Sequence, residues 1–146
     1  MSLESSMDTV SACNKGGEIE ITHPVTGKGI GLFISILGND SDVVTEYLSE
    51  KQDKREREAA YAKKRGKEPE LRTSEVRKQE NLELLAVCTT GWRTVGADGV
   101  SEQTAAFNDK KHEYSIPNAI ALYKKFPSIY EQVNAGISQL ENFMPV

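Results

Sequence analysis

The segment LELLAVCTTGW, residues 82–92, sets the pattern around which the rest of the chain is organised. Its apolar and small residues recur at steps of three and four, so they share one face of a helix that we expect to end near Gly91 and Trp92. The residues on that face are Leu82, Leu85, Ala86, Thr89 and Trp92. Because an apolar helix face must be covered, the segment predicts a core helix with an aromatic anchor at its end.

Residues 115–146 predict two short helices that pack over this core helix. Ser115 is a suitable N-cap, and Pro117 falls in the first turn, where its missing N–H is harmless. Pro127 cannot sit inside a helix without losing a hydrogen bond, so a second helix begins there. The apolar stripe of this second helix again advances by three or four residues and comprises Tyr130, Val133, Ile137, Leu140 and Met144. The intervening residues, 93–113, predict a loop with turns at its glycines.

Residues 15–38 predict an antiparallel β-hairpin. Ile19 and Ile21 alternate with polar residues, which is the period of a half-buried strand. A second apolar stretch occupies residues 30–37, and the residues between the two, HPVTGKG at 23–29, include turn-forming proline and glycine. A two-stranded ribbon is marginally stable alone, so its apolar face requires helices of the same chain or an element of another chain.

Residues 40–92 predict a charged helical hairpin. Strong helix formers fill residues 51–65, and GKEP at 66–69 breaks the helix because proline disfavours helical geometry in the residue before it. Residues 1–14 are polar and rich in small side chains, and we expect them to be disordered. The expected fold is α+β and mostly α-helical, with an N-terminal β-hairpin followed by a charged helical hairpin and two short C-terminal helices in a single domain, 15–146.

Composition limits the function classes. The chain has 146 residues and a formal net charge of -4, which argues against a dedicated nucleic-acid binder. The charge is uneven, because residues 50–80 hold 11 Lys and Arg against 8 Asp and Glu. Within them, residues 51–67 hold eight basic and three acidic residues, a mixture typical of a solvated helix with i,i+4 ion pairs. Nucleic acid is therefore not an expected partner.

Membrane and secretion signals are also missing from the pattern. No stretch approaches the roughly 20 apolar residues of a transmembrane helix, and the first residues lack the basic start and apolar run of a secretory signal. Asn39-Asp40-Ser41 matches a glycosylation acceptor by letter only, since a cytoplasmic chain never presents such a site. We therefore expect a cytoplasmic protein with no membrane partner.

Residues that could carry chemistry are few and isolated. Cys13 and Cys88 lie far apart and outside any metal-ligand spacing, so two reduced thiols are expected. His23 and His112 have no neighbouring partner for acid–base or metal chemistry, and we expect both to be exposed. Lys28, between two glycines, lacks the spacing of a phosphate-binding loop and indicates a hairpin turn. We therefore expect no enzyme activity, no cofactor and no metal.

Several short motifs of the second half occur in a distinctive order. They are LELLAV at 82–87, Gly91-Trp92, YSIPN at 114–118, FPSIYEQV at 126–133, and Phe143. The most specific part is the tryptophan followed by the Pro-x-Ile-x-x-Gln step. In this order the motifs resemble those of the tail assembly chaperones of long-tailed bacteriophages. The hairpin turn PVTG at 24–27 extends the resemblance toward the N-terminus.

The resemblance implies a small, non-catalytic, largely helical protein that coats the tape-measure protein, keeps it soluble and helps to recruit tail-tube subunits. It implies action in the cytoplasm of the bacterial host and absence from the mature virion. The implied partners are the tape-measure protein, the tail-tube protein and further copies of the chain itself. The candidate contact residues are apolar side chains of the hairpin and of the second half: Ile34, Trp92, Tyr123, Phe126 and Tyr130.

Two other functions stay open at the level of the sequence. The chain could be a structural or connector subunit that remains in the phage tail, with its hairpin adding strands to a neighbour. It could also be a nucleic-acid-binding regulator that works through the basic helix at 51–67. Detection of the chain in purified particles favours the first, and salt-sensitive binding to DNA favours the second.

Overall fold

The computed structural model describes residues 2–68 and 73–144 as a mixed α+β fold that is mostly helical, which confirms the predicted class. The helices are α1 (Leu3–Ser6), α2 (Thr9–Lys15), α3 (Asp42–Lys64), α4 (Ser74–Cys88), α5 (Ile116–Lys125) and α6 (Pro127–Ser138), followed by a 3-10 turn at Leu140–Asn142. The strands are β1 (Gly17–Thr22), β2 (Gly29–Ile36), β3 (Thr89–Val95), β4 (Ser101–Glu102), β5 (Thr104–Phe107) and β6 (Lys110–Glu113). Residues 1, 69–72 and 145–146 lie outside the described residues. They belong, in that order, to the predicted disordered segment, to the predicted helical hairpin with its break and to the predicted C-terminal helices.

The main sheet is antiparallel, with its strands in the order β1, β2, β3, β4. β1 pairs with one edge of β2, as the alternation predicts, and β3 pairs with the other. One cross-strand row on the inner face joins Ile19, Ile34 and Trp92. Helix α6 packs directly on this face, where a Cβ on Gly136 would lie 3.2 Å from side-chain atoms of Ile19 and Ile36. The glycine therefore permits the close helix–sheet approach that buries the inner face.

Helix α4 joins the sheet to the C-terminal helices, since it contacts α5, α6 and β3. Leu85 and Ala86 are fully buried on its inner side. The hydroxyl of Thr89, at the end of α4, donates a hydrogen bond of 2.8 Å to the Leu85 carbonyl. The Tyr123 hydroxyl of α5 lies 2.6 Å from the same oxygen and must be the donor, because the single proton of Thr89 is already used. These bonds fix α5 against the end of α4.

The predicted helix through Trp92 is wrong in its last turn. α4 ends at Cys88, and β3 begins at the next residue, Thr89, without a loop. The backbone of Thr89 is extended (φ -85°, ψ 129°), as β-branched residues favour. Trp92 therefore lies on a strand, where its indole N–H donates to the His112 carbonyl at 3.0 Å. The helical spacing of the segment is real only as far as Cys88.

The predicted loop at 93–113 is also wrong, because it contains the end of β3, the strand β4 and the β5–β6 hairpin. Asn108 and Asp109 both have positive φ, 53° and 62°, in the two-residue turn between β5 and β6. Such a pair is typical of a type I′ hairpin turn, which asparagine and aspartate tolerate. His112 stacks on the buried Phe107 with ring centroids 4.1 Å apart, so the expectation that this histidine is exposed is wrong as well.

The expected disorder of residues 1–14 is replaced, in the described part of this segment, by α1 and most of α2. Cys13 is fully buried, and a Cβ on Gly38 would collide with its sulfur. Asn14 exchanges two hydrogen bonds with Asp42, of 3.0 Å to its carboxylate and 2.7 Å from its backbone N–H. The polar composition therefore did not reveal α2, a helix of about two turns held by the buried Cys13, by the bonds of Asn14 and by the bond of 3.2 Å from the Gly38 N–H to the Cys13 carbonyl.

Candidate functional site

An open groove of about 920 Å³ lies between α4 and the α5–α6 pair. This volume falls near the upper end of the range of about 300–1,000 Å³ that ligand pockets span. The apolar and aromatic residues of its lining are Val76, Leu82, Tyr123, Pro127 and Tyr130. The groove can therefore receive several apolar side chains of a partner.

The first wall is the N-terminal half of α4. Thr73 caps this helix, because its hydroxyl oxygen accepts a hydrogen bond of 3.2 Å from the backbone N–H of Val76. Val76 is 44% exposed although it is apolar, and Leu82 farther along the helix is half-buried. An apolar side chain that the fold leaves uncovered at a groove is available to a partner.

The opposite wall depends on the break between α5 and α6. Phe126 ends α5, and Pro127 begins α6. The Phe126 carbonyl accepts hydrogen bonds from the backbone N–H groups of Ile129 and Tyr130, at 3.0 and 3.1 Å. The proline starts a new helix rather than continuing the old one, and the bonds to Phe126 fix the first turn that carries Tyr130.

Tyr123 forms the floor of the groove, and its side chain is 1% exposed. Burial raises the pKa of its phenol well above the ordinary value of 10.0. The hydroxyl therefore stays protonated and serves as a hydrogen-bond donor to Thr89 rather than as an acid–base group. The floor of the groove is thus a neutral side chain bonded to the end of α4.

The structure brings together two of the five predicted contact residues, Tyr123 and Tyr130, at this groove. Phe126 is half-buried and packs edge-on against the β5–β6 hairpin, outside the groove lining. Ile34 and Trp92 are 0% and 4% exposed and belong to the core. Tyr123, at 1% exposed, is buried to the same degree, so all three offer a partner little side-chain surface and their contact role stays a prediction.

A second and more polar cleft, of about 550 Å³, lies on the outer face of the main sheet. Its floor includes the cross-strand row Glu18, Ser35 and Gly91. Arg93 donates two hydrogen bonds to the Glu18 carboxylate, at 2.8 and 2.9 Å, and its guanidinium lies 4.3 Å from the ring centroid of Phe33. The bonded guanidinium lowers the pKa of Glu18. These two charges satisfy each other, so we assign no partner to this cleft.

The side chains that line the groove are of few chemical kinds. Its described lining consists of apolar, hydroxyl, amide, lysine and glutamate side chains, with no cysteine or histidine beside them. Across residues 2–68 and 73–144, no three His, Cys, Asp or Glu side chains come together in a way that could hold a metal ion. The groove is therefore suited to holding the apolar surface of another chain.

Val76, Lys78, Lys124 and Pro127 line the groove although the sequence did not single them out as contact residues. Val76 could have been found, because it is the one apolar residue in the first two turns of α4. The two lysines carry no comparable signal, since exposed lysines are common on any helix. Their place at the groove depends on how the helices pack.

Gln132, the last residue of the Pro-x-Ile-x-x-Gln step, fastens α6 to the edge of the sheet. Its side-chain oxygen accepts a hydrogen bond from the Thr22 backbone N–H at 2.8 Å, and its side-chain nitrogen donates to the Thr22 carbonyl at 2.9 Å. The nitrogen also lies 3.1 Å from the hydroxyl of Ser128. The amide therefore bonds the exposed edge of β1 as a neighbouring strand would.

No helix among the described residues combines the length and the apolar character needed to cross a membrane. Comparison with protein families, with curated proteins and with solved structures gives no match for this chain. The groove and the sequence motifs are therefore the features that bear on function.

Proposed function

We propose that the protein is a phage tail assembly chaperone that holds apolar segments of the tape-measure protein in the groove between α4 and the α5–α6 pair. The observation that carries the proposal is the uncovered apolar lining, in which Val76 is 44% exposed and Tyr130 is half-buried on the opposite wall. A chaperone for a long, aggregation-prone chain needs an apolar surface of this kind. In this role the protein acts in the host cytoplasm, helps to recruit tail-tube subunits and is absent from the mature virion.

The motifs that carry the resemblance support the proposal because three of them build the groove or fix its walls. LELLAV, residues 82–87, is part of α4, and FPSIYEQV, residues 126–133, supplies Pro127 and Tyr130 to the opposite wall. YSIPN contains Ser115, which caps α5. Its hydroxyl oxygen accepts a hydrogen bond of 3.2 Å from the backbone N–H of Asn118. These three motifs are far apart in the sequence, and all of them contribute to the groove or to the helices that form it.

A weak contact at each groove is sufficient for this function. When many copies bind along one tape-measure chain, each further copy shields another segment, and contacts between neighbours add avidity. The same uncovered lining favours association of the chain with itself when the partner is absent.

Co-expression with the tape-measure protein tests the proposal. We expect the wild-type chain to keep this partner in the soluble fraction and to co-elute with it in a many-to-one ratio. Val76→Glu places a carboxylate in the apolar contact and should lower the yield of soluble complex by about tenfold. Val100→Glu is the matched control, since Val100 is 59% exposed and lies outside the groove lining. A partner that stays insoluble with the wild-type chain contradicts the function, and equal effects of the two variants contradict the site.

The rival functions give different results in two further measurements. A structural tail subunit is found in purified particles, whereas a chaperone is not. A nucleic-acid-binding regulator binds duplex DNA with an affinity that falls steeply as salt is added. Lys51 and Arg55 of the basic helix lie 3.4 and 3.0 Å from the carboxylates of Glu83 and Glu80 on α4, which leaves these two cations less available to phosphates.

A further inference from the structure

We propose that the groove selects an amphipathic helix whose apolar stripe is flanked by carboxylates, and that Lys78 and Lys124 bind those carboxylates. The inference rests on the proposed function, because it concerns the partner of the same groove. It adds the conformation and the charge of the segment that binds.

The conformation follows from the backbone around the groove. The lining residues belong to α4, α5 and α6 or to the cap of α4, so most backbone N–H and C=O groups around the groove, apart from those at the helix ends, are bonded within the helices. None of the strands in the described part of the chain contributes to the lining. An extended peptide would therefore find no sheet edge to bond its own backbone. A helix bonds its backbone internally and needs only side-chain contacts, as in other helix-in-groove complexes.

The charge follows from lysines on opposite walls. Lys78 lies on α4 and Lys124 near the end of α5, and both side chains are exposed. Neither makes an ion pair with any residue that the structure describes. Glu75 is the one acidic residue of the described lining, so the lining has two positive charges and one negative charge. A partner with carboxylates beside its apolar stripe complements this rim.

Lysine is well suited to the rim of an apolar groove. Its aliphatic stem can lie along the apolar wall while the ammonium group reaches the carboxylate of a bound helix. Exposed ion pairs are individually weak, so two of them give a preference of about 3- to 30-fold. The lysines therefore choose between helices of equal apolar content, whereas the apolar contact supplies most of the affinity.

Two model peptides test the inference. Both carry the same leucine stripe at i, i+3, i+4 and i+7, and the flanking positions are glutamate in one and lysine in the other. We expect the wild-type chain to bind the glutamate peptide about 3- to 30-fold more tightly at low salt, and the difference to shrink at high salt. The double variant K78E/K124E should reverse the preference.

A charge-matched control separates the groove from the net charge of the molecule. K28E/K110E changes the net charge by the same amount at two exposed positions outside the groove, and it should keep the wild-type preference. Circular dichroism of both double variants checks that they fold. The inference is overturned if the wild-type chain binds the two peptides equally or binds neither, or if the control variant reverses the preference as well.

These outcomes can be told apart from failure of the proposed function. If the tape-measure protein co-purifies equally with the wild-type chain and with K78E/K124E, the result supports the chaperone function and contradicts the selection by charge. If the peptides behave as expected while the wild-type chain fails to solubilise the tape-measure protein, the result supports the selective groove and contradicts the partner assigned to it.

Discussion

Among single residues, Gln132 links the C-terminal helices to the sheet by bonding both backbone polar groups of Thr22, at 2.8 and 2.9 Å. It acts on β1, which is an edge strand of the main sheet. Exposed edges are free to pair with other chains, and proteins commonly cover them with a helix or a loop. Here the amide of one helical side chain provides the cover at the end of the strand.

Replacing this amide should therefore destabilise the fold. We expect Gln132→Ala to lower the free energy of unfolding by about 1 to 3 kcal/mol, because two half-buried backbone groups lose their partner. Urea denaturation measures the change. Gln52→Ala is the control, since the described partner of Gln52 is the neighbouring Glu56 on the exposed side of α3, and its loss should cost less than about 0.5 kcal/mol. Similar effects of the two substitutions would show that the bonds to Thr22 add nothing.

The sequence identified apolar residues well but could not rank their exposure. Tyr123 and Tyr130 belong to clear helical stripes, and both reach the groove. Ile34 and Trp92 have equally clear patterns and are as buried as Tyr123, yet they lie away from the groove because β3 pairs with β2 and places them in one inner row. That pairing joins residues almost 60 positions apart, and local spacing carries no information about it.

Among the elements, α3 is held by polar contacts more than by apolar ones. In this helix, which the structure describes throughout, Val44 is the one buried residue. The Tyr47 hydroxyl lies 3.1 Å from the Glu83 carboxylate and 3.2 Å from the Glu80 carbonyl of α4. Burial and the neighbouring Glu83 charge raise the pKa of Tyr47, so its hydroxyl remains a donor. The far half of the helix has little to anchor it.

Removing this donor should loosen α3 more than the rest of the molecule. We expect Tyr47→Phe to lower the free energy of unfolding by about 1 kcal/mol and to speed amide hydrogen exchange in α3. Tyr61→Phe makes the same chemical change on the same helix at a side chain that is 58% exposed, and it should have little effect. If exchange in α3 is equally fast in both variants, the hydroxyl is not an anchor.

The longer helices and the first two strands were predictable, whereas the later strands were not. The helices α4 to α6 and the strands β1 and β2 follow from apolar periodicity and from turn or capping residues at their ends, and α3 follows from its run of strong helix formers. β6 reads Lys-Lys-His-Glu, which has no apolar alternation, and it forms because the Asn108-Asp109 turn brings it onto β5 and because His112 stacks on Phe107. In such strands the turn and the packing decide the structure, and the propensity of the segment does not.

For the whole molecule, a buried thiol contributes to the alkaline limit of stability. Burial raises the pKa of Cys88 from 9.0 to about 11. Below pH 9 the thiol is protonated in both the folded and the unfolded chain and contributes nothing. Above pH 9 the unfolded chain releases its proton first, so unfolding becomes more favourable until the folded thiol also ionises near pH 11.

Chemical denaturation between pH 8 and pH 10, with a phosphine reductant present, measures this contribution. The wild-type chain should lose about 1 kcal/mol of stability from this group by pH 10. Cys88→Ala should be less stable at pH 7, because it loses packing, but its stability should fall less steeply over the same interval. Identical slopes for the two proteins would contradict the assignment.

The class of the fold and its order of helices were accessible from the sequence, whereas the groove was not. The groove is lined by the half of α4 that follows Thr73 and by residues of α5 and α6. At the other end of α4, Thr89 bonds Tyr123 of α5. Periodicity predicts that a face is buried, but it does not predict how far along a helix the burial extends.

Helix α4 runs into β3 with no loop between them, and Trp92, the one tryptophan of the chain, lies four residues beyond the end of the helix. The junction is held by Thr89, which bonds both the Leu85 carbonyl of α4 and Tyr123 at the groove floor. A partner that displaces α4 therefore moves the strand that carries the indole and alters its bond to the His112 carbonyl. We therefore expect the fluorescence emission of Trp92 to change when a partner occupies the groove, so that binding can be followed without an attached dye.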